Sequence, residues 1–69
     1  MTQKELLYLE DAIGHETNIV SIIEDIIERL EDEELVSFME ERLDDHTTMR
    51  DSLINILEEN ANEWSNING

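Results

Sequence analysis

The 69-residue chain has no cysteine, no proline and two glycines, and its four basic residues stand against 19 acidic ones, for a formal net charge of -15. The lack of cysteine excludes a disulfide scaffold and a thiolate zinc site. No apolar run reaches the roughly 18 residues that a membrane span needs. The negative charge argues against direct binding of nucleic acid or an anionic membrane, because phosphates would be repelled.

The start of the chain does not follow the pattern of a signal peptide. Lys4 is followed by a short mixed stretch instead of an apolar core and a cleavage site. We therefore expect an intracellular, cytoplasmic protein. Its length allows one small domain whose own core is marginal.

A long helical pattern occupies the first half of the sequence. Thr2 and Glu5 fit a capping box at its start. Apolar residues then recur at steps of three, four and seven, which is a heptad seam if Glu16 fills the one polar position. The apolar members of this seam are Leu6, Leu9, Ile13, Val20, Ile23, Ile27 and Leu30.

A second helical pattern follows an acidic turn. Asp32 suits the N-cap of a new helix, and the carboxylates after it suit the positive end of the helix dipole. The seam of this helix comprises Val36, Met39, Leu43, His46, Arg50, Leu53 and Leu57. Two long helices joined by a short turn predict an antiparallel hairpin.

These patterns predict an all-α protein with a helical hairpin at residues 1–60. We place helix 1 at about 3–30, the turn at about 31–33 and helix 2 at about 33–60. Residues 61–69 are rich in asparagine and lack periodicity, so we expect a polar C-terminal tail. In this interpretation Trp64 folds back over the end of the core.

A second apolar stripe on helix 1 predicts self-association. A single partner helix cannot cover both the seam and this stripe, and an exposed patch of this kind is unusual in a soluble monomer. We therefore expect a homodimer in which two hairpins form a four-helix bundle. The alternative is that the stripe receives a helix of a different partner. The expected dimer interface consists of Ala12, Ile19, Ile22 and Ile26.

Three polar residues, Glu16, His46 and Arg50, occupy seam positions where leucine or isoleucine is expected. Glu16 and His46 are equally far from a turn centred near residue 31, about 22 Å along each helix, so they should face each other. A buried, unpaired carboxylate is costly, so Glu16 needs a partner. One solution is a buried polar layer of all three residues that determines the register of the bundle.

The other solution is a metal ion. Glu16 and His46 from two chains could together hold a divalent ion such as zinc, iron or manganese. The nearby cationic Arg50 counts against this, and the neighbouring His15 should point away from the seam. Mid-helix Gly14 costs about 1 kcal/mol relative to alanine, and the sequence leaves open whether it permits close helix approach or a bulge.

Four short segments of the sequence carry a family resemblance: Thr2-Gln3-Lys4-Glu5-Leu6-Leu7, Leu9-Glu10-Asp11-Ala12 running to His15-Glu16, the turn ending Glu34-Leu35, and Asp45-His46. They resemble the small ferritin-like proteins of the spore coat F family of spore-forming Gram-positive bacteria. The resemblance covers roughly residues 2 to 57 and implies a ferritin-like helical hairpin, often paired into four helices, with a role in the sporulating cell.

The wider ferritin-like pattern has a Glu on one helix and Glu-x-x-His on the next. Glu16 and His46 match it, but Leu43 stands where the second carboxylate is needed. The resemblance therefore implies that oxygen or peroxide chemistry is absent, and that any metal is a single structural ion.

Three functional hypotheses follow. The first is a non-catalytic structural or interaction protein, pairing with itself and with other coat proteins in the forespore or spore coat. The second is an inhibitory acidic protein that mimics nucleic acid and binds a basic partner. The third is a ferritin-like metal-binding remnant.

Overall fold

The computed structural model describes the backbone of residues 1–68 and the side chains of residues 1–60. Within this range the chain forms helix α1, Gln3–Arg29, and helix α2, Glu33–Asn68, with no strand. Residues 30–32 join the two helices, which pack against each other as a hairpin 52 Å long and 14 Å across. The predicted all-α hairpin is confirmed.

The C-terminal end of α2 differs from the sequence prediction. We predicted that helix 2 ends at about residue 60 and that 61–69 form a tail, whereas the helical backbone continues to Asn68. Residues 61–68 contain neither proline nor glycine, so nothing in this segment breaks the helix. The prediction for Trp64 concerns a side chain outside the described residues, as does Gly69.

Both helices begin with the caps that the sequence predicts. At α1 the Glu5 backbone N–H donates to Thr2 Oγ1 at 3.1 Å, and the Thr2 N–H donates to Glu5 Oε1 at 2.9 Å. The hydrogen bond from the Thr2 backbone, with a smaller contribution from its side chain, lowers the pKa of Glu5 below its ordinary value. At α2 the Leu35 N–H donates to Asp32 Oδ1 at 3.0 Å. These bonds satisfy amides that the helix itself leaves without partners.

The turn between the helices is tight and needs no glycine. Leu30 leaves α1 with an extended backbone, and its N–H donates to the Ile27 carbonyl at 3.3 Å. Asp32 then accepts the first backbone hydrogen bond of α2, from Val36 at 3.0 Å. The chain therefore reverses over residues 30–32, close to the predicted position.

The two seams face each other, but they form a very thin core. Among residues 1–60 only Val20 and Ile23 are buried, each 6% exposed. All other seam residues of both helices are half-buried. The chain exposes 5378 Å² in total. A compact monomer of 8.1 kDa would expose about 4,500 Å². The whole chain, residues 61–69 included, therefore exposes about 900 Å² more than a compact protein of its mass.

Neither helix has an apolar stretch that could cross a membrane, over the residues that the structure describes.

Candidate polar site between the helices

Glu16 of α1 and His46 of α2 meet between the helices, as their positions relative to the turn predict. His46 Nδ1 lies 2.6 Å from Glu16 Oε2. At this distance the imidazole ring and the carboxyl group are in direct hydrogen-bond contact. The pair joins residues 30 positions apart in the chain. It therefore joins the two helices to each other at one register.

The surroundings of this pair are only partly shielded from water. The side chain of Glu16 is 20% exposed and that of His46 is 35% exposed. No charged residue within 1–60 is fully buried. In the single chain, water can still reach both groups, which reduces the cost of placing them among apolar neighbours.

Arg50 does not join this pair. We expected Glu16, His46 and Arg50 to form one layer, but the Arg50 guanidinium lies against Asp51, with Nε 3.6 Å from Oδ1. Among the described side chains, its ion pair is with this neighbour and not with Glu16. Arginine is long enough to bring its charged end to the edge of the seam while its methylene groups cover the apolar interior. The single chain therefore holds a polar pair instead of a layer of three.

The described side chains contain no group of three or more histidine and carboxylate residues placed to share a metal ion. One chain supplies two ligands of the predicted set, Glu16 and His46, and these bond to each other. His15 points outward as expected, with its Nε2 3.8 Å from Asp11 Oδ2 at the exposed surface of α1. A metal shared between two chains remains a prediction.

The second stripe of α1 lies at the surface of the single chain. Ile22 is 50% exposed and Ile26 is 36% exposed, whereas Ala12 and Ile19 are half-buried. The hairpin leaves Ile22 and Ile26 exposed and shields Ala12 and Ile19 in part. The stripe is therefore accessible to a partner.

One charged residue, Arg42 of α2, was overlooked by the sequence reasoning. Its guanidinium carbon lies 5.1 Å from the centre of the Phe38 ring, and its Nη2 lies 3.0 Å from Asp45 Oδ2. Its Nε is buried and has no hydrogen-bond partner among the described groups. The spacing Phe38-x3-Arg42-x2-Asp45 was a signal for this cluster, because residues three and four apart are neighbours on a helix.

Comparisons with protein-family models, with curated proteins and with solved structures found no match to this chain.

Proposed function

We propose that this chain is a non-catalytic structural protein that acts by pairing with a second copy of itself into a four-helix bundle. The observation that carries the proposal is the shortage of core. With only Val20 and Ile23 buried among the described side chains, the hairpin alone has little apolar burial to offset the entropy of ordering two long helices.

The excess surface has the size that a dimer would cover. The whole chain, residues 61–69 included, exposes about 900 Å² more than a compact protein of its mass, and a standard interface buries about 800 Å² on each partner. Covering the α1 stripe of Ala12, Ile19, Ile22 and Ile26 would begin to account for this area. Self-pairing, as the sequence predicted, therefore agrees with the exposed surface.

The resemblance to spore coat F proteins supplies the cellular setting of the proposal. In that setting the paired hairpin is a small building unit of the forespore or spore coat, with other coat proteins as further partners. The absence of a second carboxylate at Leu43 supports a role without di-iron chemistry. Incubation with ferrous iron and oxygen checks this last point. We expect oxidation at the rate of buffer alone, and faster protein-dependent oxidation would contradict it.

The mass of the protein in solution tests self-pairing directly. We expect a dimer at micromolar concentration in physiological salt, and a monomer that is fully helical there would contradict the proposal. Replacing Ile22 and Ile26 together with aspartate should abolish the dimer and largely unfold the chain, since two charges would enter an apolar interface. Glu24→Lys, on the opposite flank of α1, is the control and should keep the dimer.

A second candidate function is favoured by the distribution of charge. About half of the carboxylates of residues 1–60 lie on the flank of the hairpin opposite the α1 stripe, and this acidic surface could occupy the basic channel of a DNA-binding protein. Displacement of duplex DNA from a basic protein tests this candidate. Displacement that weakens steeply as salt rises would support it, because both ligands then compete through charge.

The third candidate, a metal-binding remnant, needs Glu16 and His46 of two chains to exchange their mutual hydrogen bond for an ion. Elemental analysis of the purified protein and of His46→Leu tests it. Stoichiometric zinc, iron or manganese that disappears in the variant would support it. We expect no such metal, because the 2.6 Å hydrogen bond already satisfies both groups.

A further inference from the structure

Helix α2 carries an exposed apolar stripe of its own. Leu35, Phe38, Met49 and Ile56 are each between 41% and 53% exposed. Each residue of the α1 stripe and each of these four lies one position before a residue of its own seam. The two sets therefore occupy the same flank relative to the seams of their helices. We call these four residues the α2 stripe.

The two stripes share one face of the hairpin. A two-fold axis perpendicular to the plane of the hairpin relates the two antiparallel helices. Rotation about this axis exchanges the helices but does not exchange the two faces of the hairpin. Equivalent flanks of the two helices therefore lie side by side. The α1 and α2 stripes together form one continuous surface, which we call the docking face.

The docking face carries little net charge, in contrast to the rest of the molecule. Among residues 1–60, the heptad positions that form this face contain three carboxylates and two arginines: Glu5, Asp45, Glu59, Arg29 and Arg42. The other carboxylates of residues 1–60 lie mainly on the opposite flank and on the outer sides of the two helices, apart from Asp32 in the turn and Glu16 between the helices. A chain with a net charge of -15 can approach another copy most closely through its least charged side, because repulsion there is weakest.

The size of a stable interface also requires α2. An interface of about 800 Å² per partner takes about 20–30 residues on each side, more than the α1 stripe can supply. We infer that a second copy of this chain docks on both stripes at once, and that the Arg42–Asp45 pair is the charged element that positions it. This inference rests on the proposed self-pairing and specifies its interface.

Arg42 is suited to that positioning role. It is anchored over the Phe38 ring and bonded to Asp45, so its guanidinium is already ordered in the free chain. Docking would remove water from this pair, and a charged pair surrounded by apolar side chains tolerates few alternative alignments. Two copies related by a two-fold axis would each present the same pair, so the arrangement is self-complementary.

Thiol protection tests which face is covered without disturbing the interface. The natural chain has no cysteine, so Ser52→Cys on the docking face and Ser37→Cys on the opposite flank of α2 each carry one reporter. Both serines are exposed in the single chain. In a sample of dimeric mass, we expect Ser52→Cys to react about tenfold more slowly than when diluted to monomer, because modification follows the population of free chain. Ser37→Cys should react at the same rate in both.

The outcomes separate this inference from the proposal on which it rests. Unchanged reactivity of Ser52→Cys in a dimeric sample would overturn the docking face while leaving self-pairing intact. A monomeric, helical wild-type protein would overturn both.

Substitutions on α2 provide a second test. Met49→Asp should abolish the dimer, whereas Leu7→Asp should preserve it, because Leu7 is 59% exposed but lies off the docking face. Arg42→Glu should raise the dimer dissociation constant about a hundredfold, the scale for a desolvated charge that loses its partner. Lys4→Glu makes the same charge change off the face and should have little effect. Equal effects of the two charge reversals would show that total charge, and not the Arg42–Asp45 pair, controls docking.

Discussion

Glu16 and His46 form a hydrogen bond of 2.6 Å at matching distances from the turn, and this bond is a polar link between two largely apolar seams. Its position follows from the antiparallel register alone. Each group satisfies the other, which explains how two polar residues are tolerated at positions where the heptad pattern calls for leucine or isoleucine.

Removing one member of this pair should cost more than removing both. His46→Leu leaves the Glu16 carboxylate without its donor, and we expect the unfolding free energy to fall by about 1–3 kcal/mol. The double variant Glu16→Leu with His46→Leu should recover most of this loss or exceed the wild type, since an apolar pair can replace a polar one. Urea denaturation at one fixed protein concentration compares the wild type, Glu16→Leu, His46→Leu and the double variant. Additive losses would show that the two residues act independently.

Gly14→Ala should stabilise the protein. A Cβ placed at Gly14 would meet no described atom within 4 Å, outside its own helix backbone. The change therefore removes the backbone flexibility of a mid-helix glycine without a clash, a gain of about 0.5–1 kcal/mol. Thermal unfolding followed by circular dichroism measures the effect. A loss of stability would instead place Gly14 against a second chain, and would contradict a docking face on the other flank.

Asp32→Ala should destabilise α2 at its first turn. The substitution removes the acceptor for the Leu35 N–H, at a cost of about 1 kcal/mol. Asp32→Asn retains a side-chain acceptor and is the matched control, expected to remain within a few tenths of a kcal/mol of wild type. Urea denaturation compares the three proteins. Equal losses in both variants would show that the charge of Asp32, and not its capping bond, matters.

Stability should rise with ionic strength. Each chain carries a net charge of -15, and pairing brings two such chains together. Salt shortens the range of their repulsion from about 30 Å at 0.01 M to about 3 Å at 1 M. The melting temperature and the fraction of dimer should both increase across a sodium chloride series. A flat or falling series would mean that the exposed ion pairs, such as Arg29–Asp25 at 3.4 Å, outweigh the repulsion.

The sequence predicted the helices and the capping residues closely because the determinants of both are local. The side chains of Thr2, Glu5 and Asp32 accept hydrogen bonds from the backbone amides that their spacing predicts. The register of Glu16 and His46 was also predictable, since a short turn between straight helices leaves little freedom along their axes. The end of α2 was not predictable in this way. Asparagine is a weak helix former, but the asparagine-rich segment contains no residue that prevents a helix.

By itself, the sequence determined that the chain forms two helices, which side of each faces the other, and that Glu16 and His46 meet between them. Regular spacing carries that information. Only the tertiary structure decided that Arg50 lies against Asp51 and that Arg42 lies over the Phe38 ring. It also decided that, among the described side chains, the two long seams bury only Val20 and Ile23. Side-chain direction and depth of burial depend on how closely two helices pack in space, and no repeat along a single chain specifies that distance.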